Sequence, residues 1–425
     1  MRVLIFEPQY VGHNLTYVNY LASRLVELGC EVHLVTSRQA LGSEEFENHL
    51  GHLRPHLRCL AVDGFTERSN GAGISVTGIQ NAGSLVRGLQ IGLTSIRPDH
   101  LYVLSGNPLS HWMGLPNPIS RYLRKNGIES EVVLLFGKYA YLHGGLATLI
   151  KAKLALFALA RGPWHRVHHI LPRAIEVMST FSSGFAQRVR LLPDPIDPPI
   201  VMTRTEARRI LGLPENGRYI GLIGVIEKRK GIYEFLEAFE KALVHLPADD
   251  RALLAGKSTE EVRNFLSSRF HGLTDSGRLI FLDRHLNRQD LWAANNAADV
   301  VTTPYPDHVY SASTVIRAAA VNRFVLANRI GWMEETIEEL SLGMTCNTSD
   351  SQLFATKIVE SMESSVNFAV NQKAQRFVQF HSQANFATYL TDRLCERLHQ
   401  RVDEQGFRDK MSRLDAAIRP NTVQI

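Results

Sequence analysis

The chain has 425 residues, 44% of them hydrophobic and 21% charged, with a formal net charge of +5. That length exceeds what a single hydrophobic core usually serves, so two domains are expected. The small cationic excess suits anionic ligands or an acidic membrane surface, and is too weak to argue for nucleic acid.

The four cysteines, Cys30, Cys59, Cys346 and Cys395, lie far apart with no C-x-x-C pair. They offer neither a zinc site nor a disulfide framework, and a reducing cytoplasm is the expected home. The opening "MRVLIFEPQ" enters a strand-like run without a basic segment, a long apolar segment or a small-residue cleavage site. No uninterrupted apolar stretch is long enough to span a bilayer.

In chain order, "RVLIFEP" reads as a strand, "QYVGHN" as a polar turn and "LTYVNYLASRLVELG" as a helix, before a second strand, "EVHLVTS". This β-α-β unit predicts a doubly wound parallel sheet with ligands at the carboxyl ends of its strands. Further strands are expected at "CLAV", "DHLYVLSG", "EVVLLFG" and "VHHILP". Four prolines in "RLLPDPIDPPI" exclude a continuous helix and predict a stiff connection.

The pattern then restarts. "RYIGLIGVI", "RALLAG", "RLIFLD" and "DVVTTPYP" read as strands, and "IYEFLEAFEKALVHL", "EEVRNFLSSRF" and "DLWAANNAA" as helices between them. The expected division is an N-terminal Rossmann-like domain over 1–192, a Pro-rich linker over 193–200, a C-terminal Rossmann-like domain over 201–380 and a helical tail over 381–425. The tail is a candidate to pack back on the first domain.

The order of these motifs resembles the GT-B glycosyltransferases, particularly glycosyltransferase family 4, also called group 1. "IGLIGVIEKRKGIYEFLEAFEKAL" resembles that family's glycine-strand, Lys-Gly turn and helix. "RLIFLDRHLNRQDLWAANNAADVVTTPY" and "VIRAAAVNRFVLANRIGWMEETIEELSLGMT" resemble its donor-site blocks, and "FEPQYVGHNLTYVNYLASRLVELGCEVHLVTS" its N-terminal glycine loop. Residues 40 to 165 match in rhythm only.

The resemblance implies two Rossmann-like domains facing across a cleft and transfer of a sugar from a nucleotide-sugar donor with retention of configuration. The implied acceptor is a glycan, a lipid-linked molecule or a small molecule in polysaccharide or glycoconjugate biosynthesis. No cofactor is implied beyond the nucleotide sugar itself, and no metal. The absence of a D-x-D pair agrees with metal-independent donor binding, and the histidines form no H-E-x-x-H cluster. No G-x-G-x-x-G follows a strand, which argues against a nicotinamide or flavin enzyme.

On the donor side, Lys230 occupies the place of the family's lysine, where a cation offsets charge developing on a leaving diphosphate. Val225 stands where the family often has an arginine, so Arg229 is the candidate substitute. Ser311, Ser313 and Thr314 lie at an expected helix start, where hydroxyls cap the helix or bind phosphate oxygens together with free backbone N–H groups.

Many family members carry two glutamates eight positions apart; here these positions hold Val309 and Arg317. Asp307 and His308 are candidates for the lost hydrogen bonding, and Arg317 places positive charge where the family has negative. The missing acids leave a second class open, a non-catalytic GT-B protein that binds a sugar, a nucleotide or a partner protein. They argue against a sugar-nucleotide epimerase, which needs acid and base carboxylates.

In the first domain, Gly12 permits close backbone approach to a ligand before a helix N-terminus. His13 is a candidate catalytic proton donor or, equally, a locally bonded turn residue. Lys138, Tyr139 and His143 in "LLFGKYAYLHGGL" are acceptor-side candidates, against the simpler reading of half-buried packing. "LATLIKAKLALFALARGPWHRVHH" is a basic apolar helix, and its face with Trp164 near the end is a candidate for peripheral contact with the inner face of a membrane. A core-packed helix with solvated lysines is the competing account.

Overall fold

A computed structural model describes residues 1–10, 14–63, 76–110, 112–141 and 146–398. The chain divides into two compact units, one built on Met1–Pro193 and rejoined by the chain from Gln383, the other on Asp194–Ser382.

The first unit holds a seven-stranded sheet in the order β3-β2-β1-β4-β5-β6-β7. Its strands are β1 Arg2–Phe6, β2 Glu31–Ser37, β3 Leu57–Val62, β4 His100–Val103, β5 Glu129–Leu134, β6 Arg166–His169 and β7 Val189–Leu191. All pairings are parallel, with Val3 opposite Val32 on one side and His100 on the other. Such strands are buried on both faces, which is why "VLIF" and "VVL" read as continuous apolar runs.

The second unit repeats the plan with six parallel strands in the order β10-β9-β8-β11-β12-β13. They are β8 Tyr219–Ile223, β9 Arg251–Ala255, β10 Leu279–Leu282, β11 Val300–Thr303, β12 Phe324–Asn328 and β13 Gly343–Cys346. The helices Ile232–Ala242 and Ser351–Ser364 cover one face, burying Phe235, Phe239 and Phe354 against Leu222 and Leu254.

The prolines of 193–200 do not form a free connection. Ile196 is buried, Arg288 donates to the Pro198 carbonyl at 2.9 Å, and Asn296 donates to the Ile200 carbonyl at 2.9 Å. The segment from Asp194 is thus a structural part of the second unit.

The last described helix, Gln383–Leu398, lies on the first sheet's unit and stacks Phe386 against Tyr17 with ring centroids 4.9 Å apart. Tyr102 donates to the Leu390 carbonyl of this helix at 3.0 Å. Beneath it, the buried Glu131 carboxylate takes hydrogen bonds from His100 at 3.0 Å and His168 at 2.6 Å. Burial would raise its pKa, but the two imidazoles outweigh that and hold it at about 2.

No described helix is long and apolar enough to cross a membrane.

Candidate functional site

In both sheets the strand order reverses between neighbouring strands, at β1/β4 in the first and β8/β11 in the second. In open α/β sheets, ligands bind outside the carboxyl ends of the strands at such points. The loops after β8 and β11 therefore define the candidate site of the second unit.

After β8 the chain turns at Gly224 and passes through a short 3-10 turn, Lys228–Lys230, to Gly231. Gly231 has φ 71°, and a Cβ there would lie 2.3 Å from the Pro304 carbonyl oxygen, so only glycine lets this turn close on the β11 loop. The packing delivers the half-buried Lys230, whose ammonium lies 5.3 Å from the centroid of Tyr305. A Cβ on Gly224 would come within 2.9 Å of the same ammonium. Lys230 makes no hydrogen bond or ion pair among the described residues, whereas the more exposed Arg229 is bound to Glu227 at 2.5 Å.

The loop after β11 is held from several sides. Asn328 donates to the Tyr305 carbonyl at 3.0 Å, and Thr348 to the Pro304 carbonyl at 3.2 Å. His308 donates from Nε2 to the Ser311 carbonyl at 2.9 Å. Burial pushes its imidazole pKa below the ordinary value against that hydrogen bond, and the positive charges of Arg229 and Lys230 add to the effect. A neutral His308 therefore shares the site with two cations. Asp307 is exposed.

The helix that follows, Ser313–Ala320, starts after Ala312 with no side-chain cap. Of the two roles open to the hydroxyls of Ser311, Ser313 and Thr314, capping is not the one they take. Ser311 donates to the Asp194 carboxylate at 2.7 Å, Ser313 accepts from Arg317 at 2.8 Å, and Thr314 lies 3.3 Å from the Tyr305 hydroxyl. The first N–H groups of the helix are left without a side-chain acceptor, the condition under which a helix start favours an anion. Arg317 lies one turn on, braced on Ser313, and Val309 passes close to Gly331, where a Cβ would come within 2.7 Å of its Cα.

Asp194 was not among the sequence candidates. Its backbone N–H donates to His381 Nδ1 at 2.9 Å, and its carboxylate receives Ser311. Burial drives the His381 pKa down to about 4, which keeps that nitrogen available as an acceptor. The β11 loop is thereby tied to the start of the second unit through a contact that no local motif announces.

At the β1/β4 edge of the first unit, Glu7 directly follows β1 and has no exposed surface. Ser105, following β4, donates to its carboxylate at 2.5 Å, and the Gln9 backbone N–H donates to it at 2.9 Å. Burial outweighs both bonds and raises the Glu7 pKa to about 7. Ser105 is partly exposed and also lies 3.2 Å from the Asn14 side-chain oxygen Oδ1. The only sequence signal for Glu7 was an acid closing an apolar strand at its carboxyl end.

The other first-unit candidates divide. Gly12, His13 and His143 lie outside the described residues, as does the side chain of Lys138. Tyr139 is buried, with its hydroxyl 3.7 Å from the Met178 sulfur and its ring edge-on to His169. This placement makes it a packing residue rather than an exposed acceptor contact. Trp164 is likewise buried, so it does not belong to an outward membrane-facing surface. Among the described residues, no group of three or more His, Cys, Asp or Glu is arranged to hold a metal ion.

Residues 217–364, which include Lys230, the β11 loop and the Ser313–Ala320 helix, match the family described as Glycosyl transferases group 1. The chain is 26% identical over 191 residues to a D-inositol 3-phosphate glycosyltransferase from Corynebacterium urealyticum, a match spanning 44% of this chain and 45% of that relative.

Among solved structures, a sucrose-phosphate synthase from Thermosynechococcus elongatus superposes with a TM-score of 0.68 at 16% identity, covering 94% of this chain and 99% of that one. Anabaena HepE, solved in complex with UDP, gives 0.63 at 14% identity, covering 93% and 100%. The chain has the GT-B fold, and its residues 217–364 are similar to the glycosyl transferases group 1 family.

Proposed function

We propose that the protein is a glycosyltransferase that takes a sugar from a nucleotide-sugar donor held on the second unit at the β8/β11 edge. The observation that carries this reading is Lys230. It is a half-buried ammonium without an ion-pair partner among the described residues, placed at the switch point within the turn that matches the family. Such a charge, together with the uncapped start of the Ser313–Ala320 helix, suits a diphosphate.

In the proposed reaction the bond from the anomeric carbon to the diphosphate oxygen breaks and a bond to an acceptor hydroxyl oxygen forms. The acceptor proton passes to the leaving phosphate, so no separate protein base and no metal are required. Retention of configuration belongs to this reading. So do a cytoplasmic setting and an acceptor on the first unit that is a glycan, a lipid-linked molecule or a small molecule of glycoconjugate assembly.

A second reading has its own support. Val309 and Arg317 stand at the positions of the family's paired glutamates, so donor recognition differs or turnover has been lost while binding persists. Incubation with a panel of nucleotide sugars separates the two. Slow release of nucleoside diphosphate with one donor is the expected result; a donor-dependent thermal shift without release favours the binding protein. Neither release nor shift across the panel contradicts both.

A further inference from the structure

The helix Leu146–Arg161 turns one side into the first unit and leaves the other bare. Ala152, Leu156 and Leu159 are buried, while Leu146 is 73% exposed, Leu154 63%, Phe157 49%, Ile150 48% and Leu149 41%. These five fall at helical spacing on one stripe. A lone exposed leucine needs no explanation, but five large apolar side chains on one face of one helix mark an interaction surface.

The charge around the stripe is of one sign. Lys153 and Arg161 lie within it and Lys151 beside it, all exposed, and the Arg161 guanidinium sits 5.1 Å from the centroid of the Phe157 ring. Arg124 donates to the Arg161 carbonyl at 2.8 Å, which brings the exposed Arg121, Arg124 and Lys125 to the end of the helix. Between Asp99 and Glu176 the only acids are Glu129 and Glu131. Glu131 is buried between two histidines, and Glu129 is held by Arg393 at 2.5 Å. Leu115, 53% exposed, extends the apolar surface, because the preceding Gly114 packs so closely on Ala158 that a Cβ would meet its carbonyl oxygen at 1.8 Å.

We propose that this face docks on a phospholipid bilayer carrying anionic headgroups, with the apolar stripe at the acyl boundary and the cations among the phosphates. Long cationic side chains inside the stripe suit this arrangement, since their stems lie along apolar surface while their charges reach the headgroups. A second copy of the chain fits less well. A two-fold interface would set Lys153, Arg161 and the Arg121–Lys125 cluster against their own counterparts with no acid to meet them. The inference rests on the glycosyltransferase reading only for its meaning, a lipid-linked acceptor; the docking itself is independent of that reaction.

Flotation of the full chain with vesicles tests it. Binding is expected to phosphatidylcholine vesicles containing phosphatidylglycerol, and much less to phosphatidylcholine alone. Leu154→Glu with Phe157→Glu lowers partitioning about tenfold, and Lys151→Glu with Lys153→Glu weakens it and reduces its salt dependence. Far-UV circular dichroism and nucleoside diphosphate release remain at wild-type levels in both variants.

Wild-type protein that fails to float with anionic vesicles overturns the proposal, as does a Leu154/Phe157 double variant that floats like wild type. Self-association abolished by Leu154→Glu in the absence of lipid binding assigns the face to a second copy instead. Vesicle binding without diphosphate release contradicts the enzyme reading alone.

Discussion

Replacing Glu7 with glutamine removes a proton-binding group while preserving shape. In the folded chain, burial raises the Glu7 carboxyl to about 7 from an ordinary value of 4.5. The unfolded chain releases this proton above the ordinary value and the folded chain retains it up to about 7. The unfolded state is therefore progressively favoured across that window, and the full penalty applies at higher pH. A difference of about 2.5 pH units corresponds to about 3 kcal/mol.

Glutamine, neutral like the protonated carboxyl, escapes that penalty, and the bonds that Ser105 and the Gln9 N–H donate to the carboxylate are already included in the raised value. Glu7→Gln should thus stabilise the protein by about 3 kcal/mol at pH 8 and by almost nothing at pH 4.5. Urea unfolding of both proteins at the two pH values measures the difference. A variant less stable than wild type at pH 8 refutes the reasoning, because the carboxyl would then contribute stability there rather than lose it. A destabilising carboxyl kept at a ligand-binding edge points to use, so the same variant should also slow turnover about tenfold.

Lys230→Ala should lower nucleoside diphosphate release about a hundredfold, the scale of losing one preorganised donor at a developing charge, yet leave stability within about 0.5 kcal/mol because Lys230 holds no ion pair; steady-state rates and thermal melting check both. Asp194→Ala removes the acceptor of the Ser311 hydroxyl and should weaken nucleoside diphosphate binding about tenfold by calorimetry, with Ser311→Ala reproducing most of the loss. His381, buried with its pKa lowered to about 4, should make the protein acid-labile. The unfolded imidazole takes up a proton below its ordinary value of 6.5 while the folded one does not, so about 3 kcal/mol is lost between pH 6.5 and 4. His381→Gln should flatten that part of the stability profile.

The parallel sheets were legible because strands covered on both faces leave continuous apolar runs such as "YIGLI" and "FVLAN". The Lys230-Gly231 turn was legible for a local reason: a left-handed glycine ends a basic turn just before an amphipathic helix. The Val76–Ile96 helix was not, because glycines and β-branched residues blur its periodicity.

The fate of the hydroxyls at Ser311 to Thr314 was hidden for another reason. Their partners Asp194 and Tyr305 arrive from other parts of the fold, and capping is only what a local reading supplies. Burial direction was equally invisible. Trp164, a candidate for a membrane-facing surface, fills the core, while Leu154 and Phe157 of the same stretch face outward. Glu7 became significant only when the register of β1 against β4 brought Ser105 to its side.

A nucleoside diphosphate is expected to bind the second unit at Lys230. A crystal structure of the protein with the nucleoside diphosphate selected by the donor panel tests it most directly. The expected result is phosphate oxygens within hydrogen-bonding distance of the Lys230 ammonium and of the first N–H groups of the Ser313–Ala320 helix. A nucleotide bound with its phosphates away from both would contradict it.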